Sequence, residues 1–407
     1  MKYHYGITIR EGREKLKMTQ LQLADQWPQA SGGIGVSVNY VSDVERGIKT
    51  ISDLNTLRSL CDILHIPLWK MGLSDYNPFN PNTFNGAYMY DETLKTAESL
   101  IKRTWTLRRI MPLPYVEEYV NDLNRLFDYL KSNTPPPISS DQAFQILYAQ
   151  VLRLNGVLDV ENQRYEEALD KFQKMNDIAK SIDHPATIAI SYLNMGTELE
   201  RMERHDEAIE CLELARDESF RASKHVMVLT NSYLARVYAS AKLEQKFKRA
   251  IETALRTARS IENFKYGDGT DFVFHSLSGV LAEKSYGHLD LGEPEETLAM
   301  KGDIEKQIAL EANTWLDAWI PLDWARAHLM LGQIEESVYE GREFYRKATL
   351  LKSPHAKSRA YRLLNTMETS GYSENPSVKE FRYMLDNEKD KTDLREIDER
   401  YNDQKIE

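Results

Sequence analysis

The sequence is poor in cysteine, proline and glycine. Of its 407 residues, 2 are Cys, 14 are Pro and 19 are Gly. Two cysteines cannot build a disulfide framework or a cysteine-based zinc site, and the few prolines and glycines argue against disordered, collagen-like and turn-rich all-β chains. We expect Cys61 and Cys211 to be small core residues in a reducing compartment.

Long apolar runs and catalytic motifs are also missing. No stretch approaches the roughly 18 apolar residues of a membrane span, and the N-terminus lacks the apolar segment of a signal peptide. The nine histidines form no pair at metal-binding spacing, and there is no phosphate-binding glycine motif. We therefore predict a soluble, cytoplasmic protein that is not an enzyme, with no catalytic residue, metal, cofactor or membrane partner.

What is present is helical patterning in four segments. Short helical patterns fill 1–75, and a helical connector (76–140) opens and closes with a proline-rich stretch. Long amphipathic helices fill 141–372, and the charged tail, 373–407, is predicted to be one solvated helix that frays. Because no alternating strand pattern of useful length occurs, we predict an all-α fold.

The net charge of −11 is unevenly distributed. The segment 1–75 has a balance of +1, the connector has 0, and the remainder has −12. The negative net charge argues against nucleic acid as a partner only if it is taken as an average over the whole chain. The acidity lies in the long C-terminal region, so it does not exclude DNA binding by the first segment.

The first segment predicts several short capped helices. Thr19 and Ser37 are good N-caps, Gly47 fits the stop of the helix after Ser37, and either Ser52 or Asp53 caps the next helix. This order resembles the lambda-repressor-like (XRE) helix-turn-helix family over about 60 residues. The resemblance rests on Arg13, Met18-Thr19-Gln20, Leu23-Ala24, Val36-Ser37, Tyr40-Val41-Ser42, Val44-Glu45-Arg46-Gly47 and Leu64-His65-Ile66-Pro67.

The resemblance implies that the helix after Ser37 reads base edges in the DNA major groove. Asn39 would bind adenine, Val38 a thymine methyl, and Asp43 either a cytosine amino group or only solvent. Arg13 and Glu45 match a buried ion pair of the family. The DNA-contacting residues implied by the match are Gln20, Ser37, Val38, Asn39, Asp43, Arg46 and Lys49.

Two features of the N-terminal half leave alternatives open. The family places about four residues between the Leu-Ala and Val-Ser pairs, whereas here the eleven residues 25–35 intervene. This insertion either touches DNA or packs Trp27 outside the core. The basic cluster IKRTWTLRRI, which contains Lys102, Arg103, Arg108 and Arg109, is either a solvated helix face or a source of extra phosphate contacts.

The C-terminal region contains five degenerate repeats spaced by 40, 42, 47 and 40 residues. Each repeat has a small residue on its second helix, and the position twelve residues earlier is mostly small. This spacing lets two helices pack closely and resembles the tetratricopeptide (TPR) pattern, which implies a TPR-like superhelix with a concave groove. The two sets are Ala168, Ala208, Ala250, Thr297, Ser337 and Gly156, Gly196, Tyr238, Ser285, Ala325.

The repeat register predicts which side chains line the groove. Asn194 stands where this repeat family often binds a peptide backbone, and an amide both donates and accepts hydrogen bonds. Arginines on the same helices suit a carboxylate. The predicted peptide-binding residues are Gln150, Arg153, Asn194, Arg201, Ser232, Arg236, Trp319, Asp323 and Arg326.

The order of head, connector and repeats resembles the peptide-pheromone-sensing Rgg/NprR/PlcR/PrgX regulators of Gram-positive bacteria. It implies a quorum-sensing transcription regulator: a homodimer that binds a palindromic double-stranded DNA operator and a short signalling peptide. Peptide binding would change the spacing of the two heads. The alternative is a TPR adaptor for a protein partner, whose helix-turn-helix serves tethering or packing.

Overall fold

The computed structural model describes residues 5–29, 33–73, 86–262, 264 and 270–387. These residues are helical apart from loops and one antiparallel bridge between Pro28 and Ile34, so the all-α prediction is confirmed for this part of the chain. The first ten helices are α1 Tyr5–Lys15, α2 Gln20–Gln26, α3 Val38–Glu45, α4 Leu54–Ile63, α5 Gly86–Leu107, α6 Leu113–Asn133, α7 Asp141–Glu161, α8 Tyr165–Ser181, α9 Pro185–Arg201 and α10 His205–Ser219.

The next ten helices extend to the end of the described residues, and several of them are short. They are α11 Lys224–Ser240, α12 Glu244–Arg259, α13 Leu277–Leu291, α14 Pro294–Ala299, α15 Lys301–Glu311, α16 Thr314–Trp319, α17 Pro321–Met330, α18 Ile334–Ala348, α19 Pro354–Met367 and α20 Pro376–Asn387.

The chain divides into two compact units. Unit 1 comprises Met1–Ser99 and Asn124–Leu147, and unit 2 comprises Leu100–Leu123 and Tyr148–Glu407. The residues predicted as a connector are therefore shared between the two units. The proline- and asparagine-rich stretch that opens the connector lies outside the described residues, apart from its last glycine.

The head, residues 5–73 of unit 1, begins its helices at the predicted caps. The Thr19 hydroxyl accepts from the Gln22 amide at 3.1 Å, and Ser37 caps α3 in the same way. Of the two candidates for α4, Asp53 is the cap, since its carboxylate accepts from the Thr56 amide at 2.7 Å. Such caps satisfy backbone donors that a helix start leaves unpaired.

The described parts of the insertion between α2 and α3, residues 25–29 and 33–35, are joined by backbone hydrogen bonds. The Gly35 amide donates to the Trp27 carbonyl at 2.8 Å, and the Gln29 amide donates to the Gly33 carbonyl at 2.8 Å. Trp27 lies in the head core, where it is 2% exposed and meets Tyr40 edge to face at 5.7 Å. The prediction that Trp27 packs outside the core is therefore wrong.

The repeat helices of unit 2 pack as the small-residue pattern predicts. Neighbouring helices from α8 to α13 contact one another, and α11 also contacts α9 and α13, as stacked helical hairpins require. A Cβ added at Gly196 would lie 2.7 Å from Leu212 Cγ, so the close approach there needs glycine. Where the later residue carries a hydroxyl, it bonds its partner: Ser337 Oγ donates to the Ala325 carbonyl at 2.6 Å.

The predicted solvated tail is wrong for its first part. Helix α20 buries Val378, Phe381 and Leu385 against α18 and α19, so these residues belong to a hydrophobic core. Their i, i+3 and i+7 spacing forms one apolar stripe inside an otherwise charged segment. The remainder of the tail, 388–407, lies outside the described residues.

The two cysteines behave as core residues. Cys61 is 2% exposed and Cys211 is half-buried, and burial raises the pKa of both thiols to about 11. A thiol with such a pKa holds little thiolate at neutral pH and is correspondingly unreactive.

Neither a membrane span nor a metal site occurs among the described residues. None of the helices found there is both long and apolar enough to span a bilayer. The described side chains also contain no group of three or more His, Cys, Asp and Glu residues placed to hold a metal ion.

Candidate DNA-reading surface and repeat-region cavity

Helix α3 presents a short polar face at its N-terminus. Ser37 is exposed and is occupied as the N-cap, because its hydroxyl accepts from the Tyr40 amide at 3.2 Å. Asn39 is exposed, and its amide bonds no other described residue, which leaves it available for a base edge. Val38 is half-buried and packs against the head core, so only part of its surface can meet a thymine methyl.

The C-terminal end of α3 carries a compact charged cluster. Arg46 Nη2 lies 3.0 Å from Asp43 Oδ1, and Lys49 Nζ lies 3.4 Å from Asp43 Oδ2. The hydrogen bond from Arg46 is the main reason that the pKa of Asp43 is lowered. Asp43 therefore pairs with two exposed cations that suit phosphates, and its carboxylate is already engaged rather than free for a cytosine amino group.

A buried ion pair fixes α1 against α3. Arg13 Nε donates to Glu45 Oε1 at 2.6 Å and Arg13 Nη2 to Oε2 at 3.1 Å, as the family resemblance predicts. Gln20 Nε2 donates to the same carboxylate at 2.8 Å. Gln20 thus links the start of α2 to α3, and one of its two amide hydrogens is already used inside the head. This network sets the mutual orientation of the three helices.

Unit 2 contains a cavity of about 200 Å³ lined by aromatic and basic side chains. Of the predicted peptide-binding residues, it brings together Arg153, Asn194, Arg201, Arg236 and Trp319. The sequence reasoning did not assign the other cationic and aromatic residues of its wall to a site. They are Trp105, Arg108, Arg109, Phe274, Trp315, His355 and Arg359.

Some arginines of the cavity have acidic partners. Each of these guanidinium groups lies within salt-bridge distance of a carboxylate in unit 2, and each pair is largely buried. Such pairs are structural, because removing one partner leaves the other charge buried and uncompensated. The pairs are Arg108 with Glu161, Arg201 with Glu198 and Arg236 with Glu200.

Arg153 is held differently. It is 7% exposed, its Nη1 donates to the Phe272 carbonyl at 2.9 Å, and its guanidinium lies 4.3 Å from the Trp105 ring centroid. Its Nε is buried without a hydrogen-bond partner among the described residues. Burial and the neighbouring Arg108 lower its pKa to about 9, so it remains a cation at neutral pH.

The remaining predicted groove residues lie elsewhere in unit 2. Gln150 and Ser232 do not face the groove, contrary to the prediction, because both are fully buried. The Ser232 hydroxyl donates to the Val228 carbonyl of its own helix at 2.8 Å. Asp323 lies outside the cavity wall, and burial raises its pKa to about 6. Arg326 lines a neighbouring pocket of about 450 Å³ and pairs with Asp290 at 3.0 Å.

The basic cluster at the end of α5 is divided by the fold. Arg103 is exposed, as predicted, whereas Arg108 and Arg109 turn into the cavity of unit 2. Arg109 donates to the Phe274 carbonyl and lies 5.5 Å from the Trp315 ring centroid. For these two arginines, both a solvated face and phosphate contacts are therefore wrong. The available signal was the aromatic Trp105 among the basic residues of 101–110.

Comparison with known proteins gives a family-model match and similar solved structures. No curated protein matches the chain. Among solved structures, the crystal structure of Bacillus thuringiensis PlcR in complex with the peptide PapR7 and DNA is similar at 13% identity, with a TM-score of 0.37, over 91% of this chain and 97% of that chain. So distant a likeness supports no assignment. Residues 9–68 match the helix-turn-helix family model, and the head is accordingly a helix-turn-helix domain.

Proposed function

We propose that this protein is a cytoplasmic, sequence-specific DNA-binding transcription regulator. The observation that carries the proposal is the head itself. It matches the helix-turn-helix model and presents an exposed Asn39 at the start of α3, with the cations Arg46 and Lys49 after that helix. In such domains the second helix of the helix-turn-helix pair, which is α3 in this chain, enters the major groove with its N-terminal residues toward the bases. Base reading and phosphate contacts are thus both available on one surface.

The working form in this proposal is a homodimer. One head has a charge balance of only +1, and the affinity of a protein for DNA grows with the number of phosphates it neutralises. Two heads that read half-sites about one helical turn apart double the contacts and demand a palindromic operator. The acidic remainder of the chain, with a balance of −12, would be repelled from the phosphates.

The controlling ligand in this proposal is a short signalling peptide bound in the TPR-like groove of unit 2. The support is chemical. The cavity combines the Asn194 amide, whose Nδ2 is buried without a partner among the described residues, with arginines and indole rings. An amide pairs with an extended peptide backbone, and indole rings accept apolar side chains. A ligand that favours one dimer geometry would shift the population of operator-competent dimers.

The DNA part is tested by gel shift with the DNA upstream of the protein's own gene. Asn39→Ala should lose about 1–3 kcal/mol of discrimination at one base position, because it removes a base contact. Lys49→Ala should weaken binding to all sequences alike and lower the salt slope by about 1, because it removes a phosphate contact.

The control is Lys248→Ala, which alters an exposed lysine of α12 that pairs with Glu244 in unit 2. It should change neither specificity nor the salt slope. If Asn39→Ala and Lys49→Ala both leave DNA binding intact, or if the wild-type protein binds no DNA, the proposal is wrong and the adaptor hypothesis gains.

A further inference from the structure

Within the insertion between α2 and α3, residues 27–29 and 33–35 pair as a short antiparallel ribbon. Pro28 and Ile34 stand directly opposite each other, and a backbone hydrogen bond of 2.8 Å joins the two segments on either side of them. In a pair of this type the two side chains lie close together on one face of the ribbon, with Cα atoms about 4.5 Å apart. The ribbon therefore has a small apolar face formed by Pro28 and Ile34.

This apolar face is turned away from the head core. Successive side chains of an extended segment point to opposite sides, and Trp27, the neighbour of Pro28, points into the core, where it is 2% exposed. Pro28 is half-buried. Ile34 is 76% exposed, the largest fraction of any large apolar side chain among the described residues. The fold thus buries one side of the ribbon and holds an isoleucine in water on the other.

The ribbon is attached to the predicted DNA-reading helix, α3. The Trp27 ring meets the Tyr40 ring of α3 edge to face at 5.7 Å. The Val36 amide donates to the Ala24 carbonyl of α2 at 2.9 Å. Because Trp27 and Ala24 belong to the head core, the ribbon and α3 are packed as one body. Ile34 is thereby held in a fixed position relative to the N-terminus of α3.

The apolar face lies within reach of the base pairs next to α3. Ile34 precedes the cap Ser37 by three residues, so their Cα atoms are at most about 11 Å apart. Base pairs of DNA are spaced by about 3.4 Å, and the major groove, about 12 Å wide, admits a helix or a two-stranded ribbon. When α3 occupies the groove, Ile34 therefore lies within about three base-pair steps of the bases nearest Ser37.

The composition of the insertion favours a base edge over the phosphates as its contact. Residues 25–36 contain no Lys or Arg and a single Asp, so they cannot neutralise phosphates. An exposed isoleucine instead matches the thymine C5-methyl group, an apolar group that the major groove displays. Val38, which the family resemblance assigns to a thymine methyl, is half-buried against the head core and offers less exposed surface than Ile34.

We infer that Ile34 is a specificity-determining residue that contacts a thymine methyl group in the major groove, within a few base pairs of the base read by Asn39. This inference rests on the proposed function for the existence of a DNA operator, and it adds a reading element outside α3. Removing one methyl group from water should strengthen binding about fourfold for each head on the DNA. The ribbon thus selects for thymine without adding positive charge.

The test uses the full-length protein and short DNA duplexes. Duplexes that the wild-type protein binds are selected from a random pool, and each thymine of the selected sequence is replaced in turn by uracil, which lacks only the methyl group. Gel-shift titration at one fixed salt concentration gives the affinities. We expect the wild-type protein to lose about fourfold in affinity when the thymine under Ile34 is replaced.

Variants of Ile34 separate a methyl contact from a structural role. Ile34→Ala should bind the thymine duplex about fourfold more weakly for each head and should not respond to uracil at the contacted position, because the methyl group then has no partner. Ile34→Val, which keeps a β-branched side chain, should retain most of the response to uracil. The matched control is Leu310→Ala, which shortens a 72% exposed side chain of α15 in unit 2 and should change neither quantity.

Two results would overturn the inference. The first is an equal response of the wild-type and Ile34→Ala proteins to every uracil replacement, because Ile34 then contacts no thymine methyl. The second is a change in oligomeric state in Ile34→Ala, measured by sedimentation velocity without DNA, with an unchanged response to uracil. That result would assign the apolar face to a contact between copies of this chain.

The same experiment distinguishes this failure from that of the proposed function. If the wild-type protein selects no duplex, both the proposed function and the role of Ile34 are wrong. If it selects duplexes and Asn39→Ala changes their base preference, but Ile34→Ala leaves the response to uracil unchanged, only the contact by Ile34 is disproved.

Discussion

The head and the repeat region differ in whether their buried guanidinium groups are paired with carboxylates. In the head, the buried guanidinium of Arg13 meets the carboxylate of Glu45, and Gln20 adds a further donor to that carboxylate. In the cavity of unit 2, the buried Arg153 and the half-buried Arg359 lie among other arginines, and neither forms an ion pair with a carboxylate of the described residues. A buried polar network in which every group is paired rigidifies a fold. A network with unpaired groups gains free energy when a ligand pairs them.

The difference fits the tasks of the two regions. A DNA-reading helix must keep a fixed orientation, because base contacts depend on its placement in the groove. A ligand-binding cavity gains affinity from groups that the protein alone leaves incompletely paired. The two regions should therefore respond differently to the same type of substitution.

The largest expected contrast is between Arg13→Met and Arg359→Met. Arg13→Met leaves Glu45 buried and unpaired, so we expect the head to lose about 3–5 kcal/mol of stability. Arg359 forms no ion pair in the described residues, so we expect Arg359→Met to change the stability of unit 2 by less than about 1 kcal/mol. Hydrogen exchange of the core amides of each unit, measured on the full-length protein, gives both values.

The control for that contrast is Arg10→Gln. Arg10 and Glu14 form an exposed i, i+4 pair with side chains 61% and 52% exposed, and such pairs contribute little. If Arg13→Met and Arg359→Met lower stability by equal amounts, the two regions do not differ in how they pair buried charge.

A second contrast concerns pH. Burial raises the pKa of Glu283 in unit 2 to about 7 from the ordinary 4.5. Because the folded state then binds more protons than the unfolded state, stability should fall as the pH rises from about 4.5 through 7, by about 1–3 kcal/mol. Glu283→Gln should flatten this decline in the exchange protection of α13. A wild-type unit 2 whose stability rises over that interval would contradict the assignment.

A third contrast compares two buried glycines. A Cβ at Gly196 in unit 2 would meet Leu212 Cγ at 2.7 Å and the Ala208 carbonyl oxygen at 3.1 Å, and backbone cannot move away cheaply. Gly196→Ala should therefore cost about 1–3 kcal/mol. In the head, the three nearest atoms to a Cβ at Gly12 all belong to side chains: Ile66 Cδ1 at 2.7 Å, Ile66 Cγ1 at 2.9 Å and Leu64 Cβ at 3.3 Å. With no backbone atom among them, Gly12→Ala should cost less.

Gly302→Ala is the matched control for the glycines. Gly302 lies in α15, and a Cβ added there would have no neighbour within 4 Å among the described residues, so alanine should stabilise the helix by about 0.5 kcal/mol. Local exchange protection measures all three variants. A Gly196→Ala protein as stable as the wild type would show that the close helix approach is not required.

The smallest expected effect tests whether charge pairing in the head extends to its surface. Asp43 forms ion pairs with Arg46 at 3.0 Å and with Lys49 at 3.4 Å. Asp43→Asn should release both cations toward phosphates, raise DNA affinity about 3- to 10-fold and steepen the salt slope. Weaker binding would instead indicate that Asp43 orients the cations or contacts a base, and titration at several salt concentrations distinguishes these outcomes.

The sequence alone predicted much of the head. Caps are local features, since a side-chain oxygen two or three residues from a free amide needs no tertiary information. Thr19 and Ser37 were therefore predicted correctly. The position of Trp27 was not, because a turn of eleven inserted residues can point an indole inward or outward, and only packing against Tyr40 decides between the two.

In the repeats, the sequence determined the spacing of close helix contacts, because only small side chains permit them. It also placed Arg153, Asn194, Arg201, Arg236 and Trp319 on facing surfaces, which the cavity brings together. It could not place Arg108 and Arg109, because the helix that carries them precedes the repeats and follows no repeat register.

What only the tertiary structure decided is which charges are compensated. Composition shows a net charge of −11, and that sum contains no information about which carboxylate reaches which guanidinium. Ion pairing depends on distances of a few ångströms between residues that lie far apart in the chain, as with Arg13 and Glu45. The sequence specifies the helices and their contact positions, and their packing decides where unpaired positive charge remains.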